Sequence, residues 1–95
     1  MAAVVGMARW VLHLPGCHSL KEKRKIVVGL RDRLQARHRV SAAETDFQDK
    51  WQMAELCAVL VASDHKVAHA LMERLERQVD SEIRVQVVER EIVWY

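Results

Sequence analysis

Ninety-five residues and 11.0 kDa are expected to hold one domain, residues 1–95, since chains of this size bury roughly 60–70% of their unfolded surface around one core. With 51% apolar and 29% charged residues, the composition excludes a disordered tail protein and a membrane span. The net charge of +2, from 15 Lys+Arg against 13 Asp+Glu, points by itself to no partner.

Residues Ala2–Leu14 form a near-continuous apolar run with β-branched residues and a Trp, ended by Pro15-Gly16, which predicts a first strand. Arg9 interrupts the run from Met1 and no basic leader precedes it, so it reads as neither signal peptide nor span. Leu14-Pro15-Gly16-Cys17 matches a lipoprotein box but lacks the charged leader, and the expected location is the cytoplasm. Ser19-Leu20-Lys21-Glu22 has the form of a capping box, in which the Ser19 hydroxyl accepts from Glu22 N–H and the Glu22 carboxylate reaches back to Ser19 N–H. Leu20, Ile26, Val27, Leu30 and Leu34 share one arc of the helix that follows, predicted over 19–38.

The alternation in His38–Asp46 predicts a second strand, with Val40, Ala42 and Glu44 on one side and Ser41, Ala43 and Thr45 on the other. Phe47–Lys50 is a polar connection, and the apolar run Trp51–Ser63 reads as a third, central strand. Asp64 is positioned to cap a second helix, with Val67, Leu71, Leu75 and Val79 in a row and His65, His69, Glu73, Glu76 and Arg77 outward. Ile83, Val85 and Val87 open a last strand running towards Trp94-Tyr95. The order β-α-β-β-α-β with right-handed crossovers predicts a ferredoxin-like α+β sandwich: four antiparallel strands in spatial order 4-1-3-2 and two helices on one face.

Charge is distributed unevenly along this order. Residues 19–39 carry eight basic groups against Glu22 and Asp32, a net of +6, while the other 74 residues hold seven basic and eleven acidic groups, a net of −4. Lys21, Lys23, Arg24 and Lys25 sit in the first turns, where the helix dipole disfavours cations by about 0.3–1 kcal/mol each. Two readings stand. In the first, Ser19, Lys21, Lys23, Arg24, Lys25 and Arg31 form an anion or nucleic-acid site, helped by the free N–H groups of the helix start and the Pro15–His18 loop. In the second, Glu44, Asp46, Asp49 and Glu55 on neighbouring strands neutralise the helix within the molecule.

On the sheet face away from the helices, an RNA-recognition sheet would carry stacking aromatics in mid-strand. The first strand offers Trp10 and the third only Trp51, at its very start, so base stacking there is not expected. Val5, Met7, Val11, Val59 and Val61 instead form an apolar open face, which a second copy of the chain or another protein would cover; Arg9, His13 and Glu55 could keep it wet.

Catalytic signals are thin. Cys17-His18 are adjacent, and neighbours in a chain rarely face each other, so a free loop thiol is the plainer reading. His65 and His69, four apart, would make half a metal site that no further ligand completes, so no metal or cofactor is expected. The glycine-rich phosphate loop of acylphosphatase, which shares the predicted topology, is absent. Cys17 and Cys57 lie 40 residues apart without a C-x-x-C; two idle thiols in a reducing compartment is the reading taken, one disulfide the alternative. Three Gly, no Asn and ten Arg to five Lys fit a chain selected for heat.

Ser19-Leu20-Lys21-Glu22-Lys23-Arg24 after Pro15-Gly16, Val40–Glu44, and Asp49-Lys50-Trp51-Gln52-Met53-Ala54-Glu55-Leu56 resemble, along nearly the whole chain, the YlxP family of small bacterial proteins of unknown function. The resemblance implies a ferredoxin-like sandwich, which agrees with the order derived above. It also implies, through gene neighbours that encode translation-initiation and ribosome-maturation factors, a role around the ribosome or RNA. The family has no established catalytic residues to carry over. The expectation is therefore a non-catalytic RNA- or ribosome-associated module, with ribosomal RNA or a ribosomal subunit as partner, a homodimer, and no membrane. The alternatives are an anionic small-molecule site or enzyme at the first loop and helix start, and a purely homodimeric scaffold.

Overall fold

A computed structural model describes residues 2–95; Met1, first residue of the expected apolar run and domain, lies outside the described residues. The elements are β1 (Val4–His13), α1 (Leu20–Arg37), β2 (Val40–Asp46), β3 (Met53–Ala62), α2 (His65–Asp80) and β4 (Gln86–Trp94). All three strand pairings are antiparallel and the sheet runs β2-β3-β1-β4, the expected ferredoxin-like α+β sandwich. The two longest apolar runs do become the two central strands. No helix among the described residues is long and apolar enough to cross a membrane.

Strand parity builds the core. Val4, Ala8, Trp10 and Leu12 of β1 and Ala54, Leu56, Ala58 and Leu60 of β3 are buried on one face, under Val27, Leu30 and Leu34 of α1 and Ala68, Met72, Leu75 and Val79 of α2. The α2 arc differs from the expected row. Val67 is 54% exposed, because Ala68 and Met72 complete the inward stripe with Leu75 and Val79. The last strand starts three residues later than expected: Ile83 is 94% exposed on the connection and Val85 is buried just ahead of β4. Both helix caps form. Glu22 N–H donates to Ser19 Oγ at 3.1 Å and Val67 N–H to Asp64 Oδ1 at 2.9 Å. The Glu22 carboxylate, however, accepts from His18 N–H at 3.2 Å rather than from Ser19 N–H.

Lys23 departs from expectation most. It is fully buried, in line with Val27, Leu30 and Leu34 on the inner stripe of α1. Its ammonium donates to the carbonyls of Phe47 at 2.6 Å, Met53 at 3.0 Å and Gln48 at 3.3 Å, and lies 3.1 Å from Glu44 Oε2. That oxygen accepts no hydrogen bond, so its contact with Lys23 is one of charge alone. The turn so held contains Phe47 at φ 62°, a left-handed conformation that costs a residue with a Cβ about 1–2 kcal/mol. Lys50 N–H and Asp46 Oδ1 close the same turn on Phe47, at 3.0 and 2.7 Å. The residue just before β3 ties the hairpin to the first loop: Gln52 Nε2 donates to the carbonyls of Cys17 at 3.0 Å and Pro15 at 3.3 Å, and Leu14 N–H donates to Gln52 O at 2.9 Å.

Removing the ammonium leaves the buried Oε2 of Glu44 and several carbonyls without their partner. Lys23→Ala is expected to lose about 3–5 kcal/mol of stability, measured by urea denaturation, against less than about 1 kcal/mol for Lys25→Ala on the outer face. Equal losses in the two variants would contradict the role assigned to Lys23.

Candidate functional site

The first-loop and helix-start region is built by its own chain. Ser19 Oγ caps Glu22 N–H, and the Glu22 carboxylate accepts from His18 N–H, at the end where a bound anion would sit. A cavity of about 320 Å³ lies beside it, lined by Pro15, Gly16, Cys17, Glu22, Ile26, Ile83 and Arg84. An anion entering there would meet the Glu22 carboxylate. Burial first, then the Glu22 charge, push the Cys17 thiol up, against smaller opposing effects of Arg84 and Lys23. Cys17 is buried and unpaired and Cys57 half-buried and unpaired, which leaves two free thiols and no disulfide.

The helix cations divide into three groups. Lys23 points inward and is spoken for by the hairpin, so of the six expected site residues it is the one withdrawn from the surface. Ser19 is engaged as the cap. Lys21, Arg24 and Lys25 are exposed and have no carboxylate oxygen within 4.0 Å among the described residues. Arg31 is half-buried and meets only Asp32 of its own helix, at 3.0 Å, while Arg33 crosses to Glu82 at 3.0 Å. Arg37, the last residue of α1, and Arg39, two residues on, are exposed and likewise have no carboxylate partner among the described residues.

Internal neutralisation by the acidic strand residues is therefore narrow. Glu44 meets only Lys23, and Glu55 lies on the other sheet face against Arg9 at 3.0 Å. Asp46 accepts from the backbone of Phe47, and Asp49 forms no ion pair among the described residues. Gln35, on the same flank as Arg24 and Arg31, accepts from Ala42 N–H at 3.1 Å and so attaches α1 to the edge strand β2.

The open sheet face is more charged than the valine pattern suggests. Arg9 stands in its middle and contacts Glu55 at 3.0 Å, Glu89 at 2.9 Å and Glu91 at 3.2 Å. These three carboxylates, Glu89 foremost, hold the guanidinium pKa above its ordinary value. Thr45, the extra residue where the β2–β3 register shifts, donates its hydroxyl to Glu55 Oε1 at 2.7 Å and touches Cys57 Sγ at 3.2 Å. Val11 is buried on this face, so it offers no contact surface; Val5 and Met7 are half-buried. Val59 and Val61 are 40% and 62% exposed, opposite Met7 and Val5 in the β3–β1 register. Trp10 points into the helix-side core and Trp51 lies outside β3, so no aromatic occupies a stacking position in mid-sheet.

Two further cavities lie away from the first loop and the start of α1. One, of about 500 Å³ between α2 and β4, is lined by His69, Met72, Ile92 and Trp94 with Glu73, Glu76, Arg77 and Arg90 around them. Trp94 lies across Gly6, where a Cβ would come within 2.6 Å of its ring, and packs on His69 with centroids 4.4 Å apart. Arg90 closes one side through Glu76 and through Asp80 at 2.9 Å. The other, of about 520 Å³, opens at the far end of α1 and is lined by Arg37, Arg39 and Arg74 over an apolar floor. For Arg74 the sequence carries one signal, its i+3 spacing from Leu71. Among the described residues no three His, Cys, Asp or Glu side chains gather as a metal-binding group, and His65 and His69 are 6.4 Å apart between ring centroids.

The family described as "Protein of unknown function (DUF503)" matches residues 5–92, and the chain belongs to it. No curated protein matches the chain.

Glu82, in the α2–β4 connection, provides a pH test of the ion pairs it makes with Arg84 and with Arg33 of α1. Its hydrogen bond from the Arg84 side chain, with further help from Arg84 N–H and Arg33, holds its carboxyl at about 2 against an ordinary 4.5, despite burial acting the other way. A depressed folded-state pKa contributes stability that is present above the unfolded value and is lost as pH falls through the folded one. Stability is expected to be flat in this contribution from neutral pH to about 5 and to drop between 4.5 and about 2. In Glu82→Gln, thermal melts across that window should show a shallower drop; an unchanged pH profile would contradict the pairing.

Proposed function

We propose that this member of the DUF503 family is a non-catalytic RNA-binding module that engages RNA phosphates with the outer face of α1. The observation that carries the reading is the set of exposed cations with no carboxylate partner among the described residues, Lys21, Arg24 and Lys25 at one end of α1, Arg37 at its other end and Arg39 just beyond, with Arg31, paired to Asp32, between them. Eighteen residues at about 1.5 Å each put these groups along roughly 27 Å, room for several phosphates of one strand. The cations in the first turns work against the helix dipole, a cost that phosphate contacts would offset. The resemblance of the Ser19–Arg24 and Asp49–Leu56 blocks to the YlxP family favours RNA of the ribosome or a ribosomal subunit as the partner, and with it the cytoplasm. An anionic metabolite or an enzymatic reaction at the first loop is less well supported, since Glu22 holds the helix start.

A homodimer is the second reading, favoured by one observation: Val59 and Val61 project from a central strand beside Val5 and Met7, at the end of the sheet away from the Arg9 cluster. Covering such valines removes apolar area from water at about 25 cal/mol per Å².

For RNA binding, a Lys21→Ala/Arg24→Ala/Lys25→Ala variant should fold normally. The slope of log affinity against log salt for a single-stranded RNA should fall by about 2, at roughly 0.7 for each phosphate that the variant leaves unneutralised. An unchanged slope, or no RNA binding by the native chain at low salt, would refute the interface. For the dimer, light scattering should give twice the chain mass for the native protein and the chain mass for Val61→Glu; a monomeric native protein removes this reading.

A further inference from the structure

We infer that the cavity at the far end of α1 binds a nucleoside monophosphate unit, either a free nucleotide or the phosphorylated end of an RNA. The cavity has about 520 Å³, within the range of pockets that enclose small ligands. Three arginines, Arg37, Arg39 and Arg74, line it from the end of α1, the α1–β2 junction and the middle of α2. None of the three has a carboxylate oxygen within 4.0 Å among the described residues, and no carboxylate lines the cavity. The groove between α2 and β4 differs in this respect, because Glu73 and Glu76 stand beside its arginines. Three unpaired arginines around one hollow repel one another, and an anion with two charges relieves that repulsion. Guanidinium forks match phosphate oxygens in pairs.

The floor selects more than a bare phosphate. Val61, Ala70 and Leu71 supply apolar area that an inorganic ion would leave unfilled. His38 lines the same hollow, with its ring fixed by a 2.7 Å contact between Nε2 and Gln78 Oε1. Flat imidazole and guanidinium groups over an aliphatic floor suit a nucleobase, which stacks on such planes when it is unpaired. The sequence links these pieces poorly because they come from three elements: Arg37–Arg39 from the α1–β2 junction, Val61 from the end of β3, and Ala70–Arg74 from α2.

The RNA source rests on the RNA-binding reading of α1, whereas the mononucleotide source stands without it. The test is an amide-shift titration of the ¹⁵N-labelled full chain with AMP, UMP and inorganic phosphate. It is repeated with a short RNA carrying either a 5′-phosphate or a 5′-hydroxyl. The expected result is saturable shifts at residues 38–39, 61–63 and 70–74 with AMP or UMP, and binding at least about tenfold weaker for inorganic phosphate. Arg74→Ala and, separately, Arg39→Ala should each weaken the nucleotide by about tenfold, while Lys21→Ala/Lys25→Ala leaves it unchanged. Competition by the 5′-phosphorylated RNA but not its 5′-hydroxyl form identifies an RNA end as the source; competition by neither identifies a free nucleotide. The inference is overturned if neither nucleotide binds, if the shifts fall elsewhere, if phosphate binds as well as AMP, or if folded Arg74→Ala and Arg39→Ala retain native affinity. RNA binding that survives such a result leaves the α1 interface standing alone, and nucleotide binding without RNA binding leaves the cavity standing alone.

Discussion

The fold is organised around one buried ammonium. Lys23 brings its charge into the interior and finds there the carbonyls of the β2–β3 turn and the carboxylate of Glu44. Burying an ammonium alone would be prohibitive, so the turn must adopt the shape that directs its carbonyls at Nζ, left-handed Phe47 included. The turn in turn delivers Gln52 to the first loop, where its amide holds the Cys17 and Pro15 carbonyls. The loop that enters α1 and the hairpin that follows it are thus fastened at one end of the sandwich. The first helix cannot rotate about its axis without breaking this set, and that fixes which of its remaining cations face water.

Carboxylates are used in the same economical way elsewhere. Glu55, Glu89 and Glu91 surround Arg9; Glu76 and Asp80 hold Arg90; Glu82 joins Arg33 and Arg84. Each acidic group so engaged is subtracted from those that could neutralise the outer face of α1. Six of the 15 cations have carboxylate partners among the described residues (Arg9, Lys23, Arg31, Arg33, Arg84 and Arg90). Arg24, Lys25, Arg37, Arg39 and Arg74 are among those without one. A net charge near zero is therefore a poor guide to the surface of this molecule, since much of the negative charge is paired away from the helix.

The element order, the two caps and the choice of central strands are legible in the sequence because each rests on local pattern: apolar run length, S-x-x-E, and Asp64 ahead of a 3.6-residue period. Lys23 escapes that reading for a physical reason. A lysine counts as a surface charge by type, yet its spacing from Val27, Leu30 and Leu34 puts it on the inner stripe. Periodicity here outweighs residue type. On α2 the discrepancy runs the other way: Val67 reads as core by type, while the smaller Ala68 is the residue that fits beneath the helix. The charge of Arg37 and Arg39 is legible in the basic segment, but their meeting with Val61 and Arg74 in one cavity is not, since proximity across the α1–β2 junction, the end of β3 and α2 is a property of the assembled sandwich.

The placement of the Arg9 cluster bears on which layer could meet a polyanion. Sheets of this topology that bind RNA do so on the open face, through aromatics on the central strands. Here that face carries three carboxylates around one arginine and no mid-strand aromatic, a local charge of −2 on the strands where bases would lie. A phosphate backbone would be repelled from it and drawn to the opposite layer, where α1 presents cations without counter-charges. In the field of a polyanion the two faces would therefore turn the helix layer towards it before any contact forms.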